Sequence, residues 1–432
     1  MIDKIDRTAL ARLAGARAKR PLRGITSVCS AHPLVIEAAF RQAMADGMPA
    51  LIEATCNQVN QGGGYTGMTP ADFRRFVGGI ARNCGFDVSQ LILGGDHLGP
   101  NPWKSLPAEA AMAKAEAMVE AFVAAGFGKI HLDCSMGCAG EPVALADAIT
   151  AQRAARLAAV AETAARRNGV APPVYIIGTE VPPPGGALEG LDHIKVTEPD
   201  AVLQTLEVHR QAFAEADAAE AFDRVIGIVV QPGVEFGNAD VAIYKPERAV
   251  DLSQTLGRMP RLVFEAHSTD YQPDTALRAL VDDGFAILKV GPGLTFALRE
   301  ALYGLDRIAE ELSGRSIPDS VEASLEQLML AQPGHWRSHY DGSPRELRLL
   351  RHFSYSDRIR YYWPQAEAVA AVERLAARLD ASPIPETLIS QYLPRLYPEV
   401  ATKRLGTSVR ELCLAAIGKA LDPYSFATMD GR

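Results

Sequence analysis

The feature that most constrains the fold is a series of eight short apolar segments between residues 24 and 290, each followed by a longer amphipathic or alanine-rich stretch. The short segments are rich in Val, Ile and Leu without polar alternation, which is typical of strands buried on both faces. Eight strand–helix units in series predict a (β/α)8 barrel, the TIM-barrel fold. The predicted strands cover residues 24–29, 50–55, 91–94, 129–133, 174–178, 225–230, 261–265 and 286–290.

The stretches between the predicted strands carry helix start and stop signals. Thr69 precedes Pro70, which places a capping hydroxyl before a proline at the first helical position, and Gly85 follows the end of that stretch. Pro33 and Gly47 bracket another helix in the same way. The alternative is a doubly wound open sheet, which usually has a GxGxxG turn after an early strand, and that motif is absent.

The texture of the sequence changes after about residue 315. Aromatic residues and arginines gather in residues 352–364, and helical periodicity follows in residues 365–380 and 386–396. We therefore predict a barrel over residues 1–315 and a helical C-terminal extension over residues 316–432 that packs on it. The simplest roles for this extension are packing against the barrel or an oligomer contact.

Composition excludes several classes of function. The 432 residues carry a formal net charge of −8 and no long basic run, which argues against a nucleic-acid groove. The N-terminus lacks the apolar core of a signal peptide, and no segment approaches the roughly 20 apolar residues that cross a bilayer. The six cysteines show neither CxxC pairs nor zinc-site spacing, so we expect reduced thiols and a cytoplasmic protein.

Polar residues follow most of the predicted strands. The active site of a (β/α)8 barrel lies at the C-terminal ends of its strands, so the fold would bring these residues together. The residues collected in this way are Glu53, Asn57, Gln58, Asn60, Asp96, His97, His131, Asp133, Glu180, Gln231, Glu235, Asn238, Asp240, Glu265, His267, Asp270 and Lys289.

His97 and His267 are the candidate metal ligands in this set. Two imidazoles joined by carboxylates form a mixed nitrogen and oxygen site that suits Zn²⁺ or a similar divalent ion. Asp96, which precedes His97, could move a proton. A single histidine is more often a structural hydrogen-bonding residue, and His131, which lies within a predicted strand, stays open between the two roles.

Two loops are candidates for substrate binding. Residues 57–67 contain three consecutive glycines beside Asn57, Gln58 and Asn60, which predicts either a mobile lid that binds a polyol or phosphate or a plain flexible loop. Gly291 and Gly293 precede the helix after the eighth strand, where barrels often bind phosphate. The other candidate substrate-binding residues at this end of the barrel are Ser268, Thr269 and Lys289.

Several motifs are more specific. The segments NQVNQ at residues 57–61, GGDHLGPNPW at 94–103, FEAHSTDYQ at 264–272 and YSDRIRYYWP at 355–364 together resemble the Z-type subunit of class II tagatose-1,6-bisphosphate aldolase over nearly the whole chain. Members of that family have often been labelled tagatose-6-phosphate kinase. The chain has no GxxxxGK[ST] loop, so the sequence gives no support to a kinase.

The resemblance implies a partner and a site. Z-type subunits are regarded as non-catalytic partners of a smaller catalytic class II aldolase subunit, which predicts an oligomer. In the related catalytic aldolases the Asp-His pair after the third strand, here Asp96 and His97, transfers a proton and binds zinc. Asp240 stands where those enzymes have a second histidine ligand, with one residue inserted, and His267 lacks the glycines that hold phosphate there. The implied ligands are His97, His267 and either Asp240 or Glu180, and Glu180 is also a candidate catalytic carboxylate.

Two functional hypotheses follow from these residues. The chain is an accessory subunit of tagatose-1,6-bisphosphate aldolase in galactitol, N-acetylgalactosamine or related sugar catabolism, and it keeps a metal-competent site. Alternatively, it is a free-standing metal-dependent aldolase or 4-epimerase that acts on a ketose or ketose phosphate by retro-aldol chemistry.

Overall fold

The computed structural model describes residues 8–16, 23–178, 194–381 and 383–429. Eight parallel strands close into a barrel, in which the first strand pairs with both the second and the last. The predicted (β/α)8 fold is therefore confirmed. The barrel strands are β1 (Ile25–Cys29), β2 (Ala50–Thr55), β3 (Leu91–Leu98), β4 (Lys129–Leu132), β5 (Val174–Ile177), β6 (Val225–Val229), β9 (Val263–Ala266) and β10 (Ile287–Val290), and a small antiparallel hairpin is formed by β7 (Glu235–Phe236) and β8 (Val241–Ala242).

Strand β3 is longer than the sequence predicts. It continues past Gly94 to Leu98, and its pairing with β4 shifts register between Gly95 and Leu98. A Cβ at Gly94 would lie 2.6 Å from a carboxylate oxygen of Glu53, so glycine is required there by a side chain on the next strand. The sequence suggests that the strand ends at Gly94, but in the structure this glycine lies inside the strand and leaves room for the Glu53 side chain.

The helices between the strands begin and end largely where the sequence predicts. Thr69 and Asp72 form a reciprocal capping box at the start of α3, and Gly85 ends the helix with φ of 79°. The helices are α1 (Thr8–Ala16), α2 (Pro33–Asp46), α3 (Pro70–Cys84), α4 (Ala108–Ala124), α5 (Asp147–Asn168), α6 (Pro199–Glu215), α7 (Ala219–Phe222), α8 (Val250–Thr255), α9 (Asp274–Asp282), α10 (Pro292–Ser313), α11 (Val321–Ala331), α12 (Pro344–Phe353), α13 (Ala366–Leu379), α14 (Glu386–Tyr392), α15 (Tyr397–Ala401) and α16 (Val409–Thr428).

The C-terminal helices are part of the barrel wall. Helix α16 packs against α2, α9 and α10, and the Gly24 amide at the entry to β1 donates to the Thr428 carbonyl. The last helix of the chain therefore lies between the helices that flank the closure of the barrel. The described residues between 316 and 429 form a helical region as predicted, and the boundary at residue 315 stays a prediction.

Helix α1 covers the opposite end of the barrel from the candidate site. Leu10 and Leu13 are buried with Ile25, Leu51 and Ile92, which lie at or near the N-terminal ends of their strands. This contact removes apolar surface from water at the bottom of the barrel, so the top is left to carry the site.

Candidate metal centre

Three histidines and one aspartate meet at the C-terminal end of the barrel. Ligand atoms of Asp96, His97, His131 and His267 all lie within 4.8 Å of one another, and all four residues are buried. Asp96 and His97 come from β3, His131 from β4, and His267 directly follows β9. We call these four residues the histidine cluster. It includes His131, whose role the sequence left open.

Each imidazole of the cluster is oriented by an oxygen acceptor. His97 Nδ1 lies 2.8 Å from Asp133 Oδ2, and His267 Nε2 lies 2.9 Å from Glu265 Oε1. His131 Nε2 lies 3.0 Å from the Gly178 carbonyl, which can only accept, so Nε2 carries the proton. Metal-ligating histidines are held in this way by a partner that sets the tautomer and turns the opposite nitrogen toward the ion.

A buried charge network lies beneath the cluster. Lys129 Nζ is 2.6 Å from Glu53 Oε1 and 2.7 Å from Glu265 Oε2, and Lys129 is 0% exposed. Lys289 Nζ is 2.8 Å from Glu53 Oε2 and 3.4 Å from Glu265 Oε1, and it also pairs with Asp96. Buried charges persist only when they are paired in this manner.

The charges of this region favour a divalent cation. Its four carboxylates are those of Glu53, Asp96, Asp133 and Glu265, and its two ammonium groups are Lys129 and Lys289. The carboxylates outnumber the ammonium groups by two. Burial alone would lower the pKa of His97, but the charges of Asp96 and Asp133 raise it, as expected beside uncompensated negative charge. Three imidazoles with an adjacent carboxylate also form a donor set that suits zinc and similar ions, so the residues present fit the metal that the sequence predicts.

The same charges set the protonation of the site. Burial alone would raise the pKa of Asp96, but His97 and Lys289 hold it well below its usual value. Burial, Lys289 and other neighbours lower the pKa of His267 to about 3, so its imidazole is neutral. An ionised carboxylate beside a neutral imidazole is the state in which these groups can bind a cation.

Two residues of the site adopt a backbone conformation that is rare for non-glycine residues. His97 has φ of 51° and Ser268, which follows His267, has φ of 52°. Such left-handed residues cost about 1–3 kcal/mol and cluster at functional sites. Both residues lie at strand ends, where the backbone must turn the imidazoles of His97 and His267 toward each other.

The predicted substrate-binding loop at residues 57–67 is held by its own amide side chains. Asn60 Oδ1 accepts from the Gly62 and Gly64 amides at 2.8 and 3.2 Å, and Gln58 Oε1 accepts from the Thr55 amide at 2.8 Å. Asn57 is exposed. A Cβ at Gly64 would lie 2.4 Å from the Gln58 carbonyl, which explains the glycine. The structure thus shows Gln58 and Asn60 shaping the loop, and their contact with a substrate stays a prediction.

The predicted phosphate position at the start of α10 contains a protein carboxylate. Asp270 Oδ1 accepts from the amides of Gly291 and Gly293, at 3.0 and 2.7 Å. Thr269 donates its hydroxyl to the Lys289 carbonyl at 2.6 Å and is fully buried. In this arrangement neither glycine amide nor Thr269 is offered to a phosphate, which corrects the role that the sequence led us to expect for them.

The remaining predicted site residues lie in three different settings. Ser268 is 8% exposed and hydrogen-bonds Glu235, whose burial raises its pKa to about 7. Asp240 is exposed in the turn between β7 and β8, outside the histidine cluster. The hairpin turns Asp240 to solvent, so it lies apart from the histidine cluster, and His131 is the residue that the structure brings beside Asp96, His97 and His267 instead. Glu180 lies outside the described residues.

Lys129 is the residue of this site that sequence reasoning missed. It begins an apolar segment rather than ending one, and a lysine at the start of a strand is usually read as a solvated edge. Glu53 and Glu265, the two carboxylates it pairs with, were both among the residues collected at the strand ends. The available signal was that Glu53 and Glu265 both lie within apolar strand segments, where buried carboxylates need a cation beside them.

Two further observations bear on the surroundings of the site. Within the described residues, no helix combines the length and apolar character that crossing a membrane requires. All six cysteines are free thiols, as predicted. Cys29 Sγ lies 3.5 Å from Asp96 Oδ2, and burial together with the nearby carboxylates raises its pKa well above the usual value despite Lys289. The thiol therefore stays protonated beside the cluster.

Comparison with known proteins places the whole chain. Residues 10–429 match the family described as D-tagatose-1,6-bisphosphate aldolase subunit GatZ/KbaZ-like. A D-tagatose 6-phosphate 4-epimerase from Agrobacterium fabrum is 56% identical over 423 residues, which cover 98% of this chain and 99% of that protein. The crystal structure of a probable tagatose 6 phosphate kinase from Sinorhizobium meliloti has a TM-score of 0.87 and 59% identity, and the match covers 94% of this chain and 100% of the other. The chain belongs to the D-tagatose-1,6-bisphosphate aldolase subunit GatZ/KbaZ-like family.

Proposed function

We propose that this protein is a metal-dependent epimerase that inverts C4 of a ketose 6-phosphate by retro-aldol cleavage and re-addition. The observation that carries the proposal is the histidine cluster, in which three buried imidazoles converge with an ionised aspartate. The name of the relative that is 56% identical, D-tagatose 6-phosphate 4-epimerase, supports the substrate class.

In this proposal His97, His131 and His267 hold the divalent metal, and zinc is the ion that best suits the donor set. A divalent ion would supply Lewis-acid chemistry, which makes a substrate hydroxyl more acidic and stabilises negative charge on a carbonyl oxygen. Asp133, Glu265 and the Gly178 carbonyl keep the three rings in their orientation. This support is of the kind that fixes ligand geometry in metalloenzymes.

Asp96 is the proton-transfer group of the proposed reaction. Its carboxylate accepts the proton of the C4 hydroxyl, and the C3–C4 bond breaks to give an aldehyde that carries the phosphate and a three-carbon enediolate. The enediolate then attacks the opposite face of the aldehyde, and Asp96 returns its proton to the new C4 oxygen. Lys289, paired with Asp96, keeps the carboxylate ionised between turnovers.

The proposal is tested with the purified chain and added Zn²⁺, assayed alone on D-tagatose 6-phosphate for the C4 epimer. The Asp96→Asn variant should lose about 10³-fold in kcat, since a positioned acid–base group contributes about 10²–10⁴-fold. Asp341→Asn, at an exposed position, is the matched control and should keep full activity. Absence of epimer with the wild-type chain, or equal activity in Asp96→Asn, would refute the proposal.

A second candidate function is that of an accessory subunit for a catalytic class II aldolase, supported by the family description as an aldolase subunit. It includes assembly into an oligomer, a cytoplasmic location and a place in galactitol or N-acetylgalactosamine catabolism. Mixing the chain with a catalytic class II tagatose-bisphosphate aldolase separates the two. Stimulation of the partner that persists in Asp96→Asn, together with no turnover by the chain alone, would favour the accessory role.

A further inference from the structure

The barrel does not offer its usual phosphate position to a substrate. That position is the N-terminus of the helix after the eighth strand, where backbone amides and the helix dipole attract anions. Here Asp270 Oδ1 accepts from both glycine amides of that turn. A phosphate arriving there would meet a carboxylate, so a phosphorylated substrate needs cations elsewhere at the barrel mouth.

Arg358 and Arg360 are cations of this kind. They lie in a short 3-10 helix (Arg358–Tyr361) of the C-terminal region, and their guanidinium carbons stand 4.9 and 4.6 Å from the centre of the Tyr361 ring. Arg360 Nη2 donates to the Tyr361 hydroxyl at 3.1 Å. We call Arg358 and Arg360 the arginine pair.

The arginine pair lacks a carboxylate partner. Across the part of the chain that the structure describes, neither guanidinium has an acidic oxygen within ion-pairing distance. The nearest acid in sequence, Asp357, is used by Thr295 at 2.6 Å and Arg299 at 3.4 Å. Arg358 is only 8% exposed, and burial lowers its pKa. Both guanidiniums donate to backbone carbonyls, and the charge of Asp357 acts on Arg360 without a direct ion pair. Largely buried cations without a direct ion pair favour a bound anion.

The arginine pair faces the mouth of the barrel. The Tyr361 ring packs edge-on against Tyr65, 4.8 Å between centroids, and Tyr65 belongs to the loop after β2. The charge of Arg360 also reaches Asp270, where it opposes the effect of burial on the carboxyl pKa. Asp270 follows His267 by three residues, so the pair lies on the side of the mouth where the ligand-bearing loop after β9 emerges.

Other basic groups converge on the same place. Burial, together with the charges of Arg358, Arg360 and Lys104, lowers the pKa of His339 to about 4. Lys104 is exposed and directly follows a short 3-10 helix (Asn101–Trp103) that comes after β3, the strand with Asp96 and His97. The C-terminal region and a barrel loop therefore gather positive charge around one point.

We propose that Arg358 and Arg360 bind the phosphate of the substrate, so that the C-terminal region supplies the phosphate site that the barrel lacks. The inference rests on the proposed function for the identity of the substrate, a ketose 6-phosphate. Planar guanidiniums bind phosphate oxygens in a bidentate manner, and Tyr361 holds both planes in place. After the C3–C4 bond breaks, the phosphate belongs to the aldehyde fragment, and the arginine pair retains that fragment while its aldehyde carbon turns to present the other face.

The test measures binding without turnover. Isothermal calorimetry on the full chain, with metal content matched across variants, follows inorganic phosphate, D-tagatose 6-phosphate and unphosphorylated D-tagatose. Arg360→Gln should weaken both phosphorylated ligands by about 30-fold and leave D-tagatose unchanged, since the charge-assisted bonds are lost. Arg360→Lys should show a smaller loss of about 5-fold, because it keeps the charge without the fork.

Arg345→Gln is the matched control, since it removes an exposed arginine on α12. Phosphate affinity that stays within about 2-fold in folded Arg360→Gln, or that falls equally in Arg345→Gln, would overturn the inference. Arg360→Lys keeps the test open if Arg360→Gln does not fold. If the protein binds the sugar phosphate through Arg360 but does not epimerise it, only the proposed function is refuted. If Arg360→Gln epimerises the sugar phosphate with an unchanged KM, only the phosphate site is refuted.

Discussion

The histidine cluster and the N-terminus of α10 lie at the same mouth of the barrel, but they differ in what they present to a ligand. The cluster directs three imidazoles and an ionised aspartate to one point above a paired charge network. The N-terminus of α10 is closed by Asp270, which accepts from both of its glycine amides. Barrels of this fold often bind phosphate at that helix terminus, so in this protein the proposed metal chemistry and phosphate binding fall to different parts of the molecule.

The contrast between the two regions depends first on whether the histidine cluster holds a metal. His131→Ala should weaken Zn²⁺ binding by about 100-fold, since it removes one of three imidazole ligands. Competition with a chromophoric chelator measures the affinity. His209→Ala removes a buried imidazole that hydrogen-bonds the Thr205 carbonyl within α6, and this variant should bind Zn²⁺ like the wild type. Equal affinities of the two variants would exclude His131 as a ligand.

The charge network beneath the cluster is tested through the stability of the fold. Lys129→Met removes the closer of the two cations between Glu53 and Glu265 and leaves only Lys289 to offset both carboxylates in the barrel interior. Removing one partner of a buried ion pair costs about 3–5 kcal/mol, and urea unfolding measures that loss in the free energy of unfolding. The control is Lys245→Met at an exposed lysine. A loss below about 1 kcal/mol in Lys129→Met would show that the network does not support the barrel.

The carboxylate at the start of α10 makes a pH-dependent contribution. Burial raises the pKa of Asp270 to about 6, above the value of about 3.9 for an unfolded aspartate. The folded state therefore binds the proton more tightly, and the stability of the wild type should rise as pH falls from about 6 to 4, by about 1–3 kcal/mol relative to Asp270→Asn. Asparagine can accept from the same two amides but does not titrate. If the free energies of unfolding of the two proteins change with pH in the same way across this range, the pKa shift does not belong to Asp270.

The barrel and much of the cluster follow from the sequence for a topological reason. Non-alternating apolar segments imply strands buried on both faces, and closing eight of them forces their C-terminal ends together. Asp96, His97 and His267 could therefore be placed near one another without knowledge of any contact. His131 could not be decided, because a histidine inside a strand points either to the barrel interior or to the surrounding helices.

Other parts depend on non-local packing that no local pattern records. Lys129 is buried only because Glu53 and Glu265 approach it from other strands. The position of α16 against α2 and α9 is set by tertiary contacts, so the sequence predicts a helical extension but not the place of this helix in the wall. The glycine turn at residues 291–293 reads as an anion site, and only the fold shows that Asp270 has taken it.

The smallest expected effect concerns Asp240, which the resemblance to catalytic aldolases puts at a ligand position but which lies in the exposed turn between β7 and β8. The hairpin turns its carboxylate to water. Asp240→Asn should therefore change Zn²⁺ affinity and epimerase activity by less than about 2-fold, since exposed substitutions away from a site stay within about 0.5 kcal/mol. A loss of Zn²⁺ affinity comparable to that of His131→Ala would mean that the hairpin folds inward when the metal binds, and that the ligand set follows the aldolase pattern rather than the three-histidine arrangement.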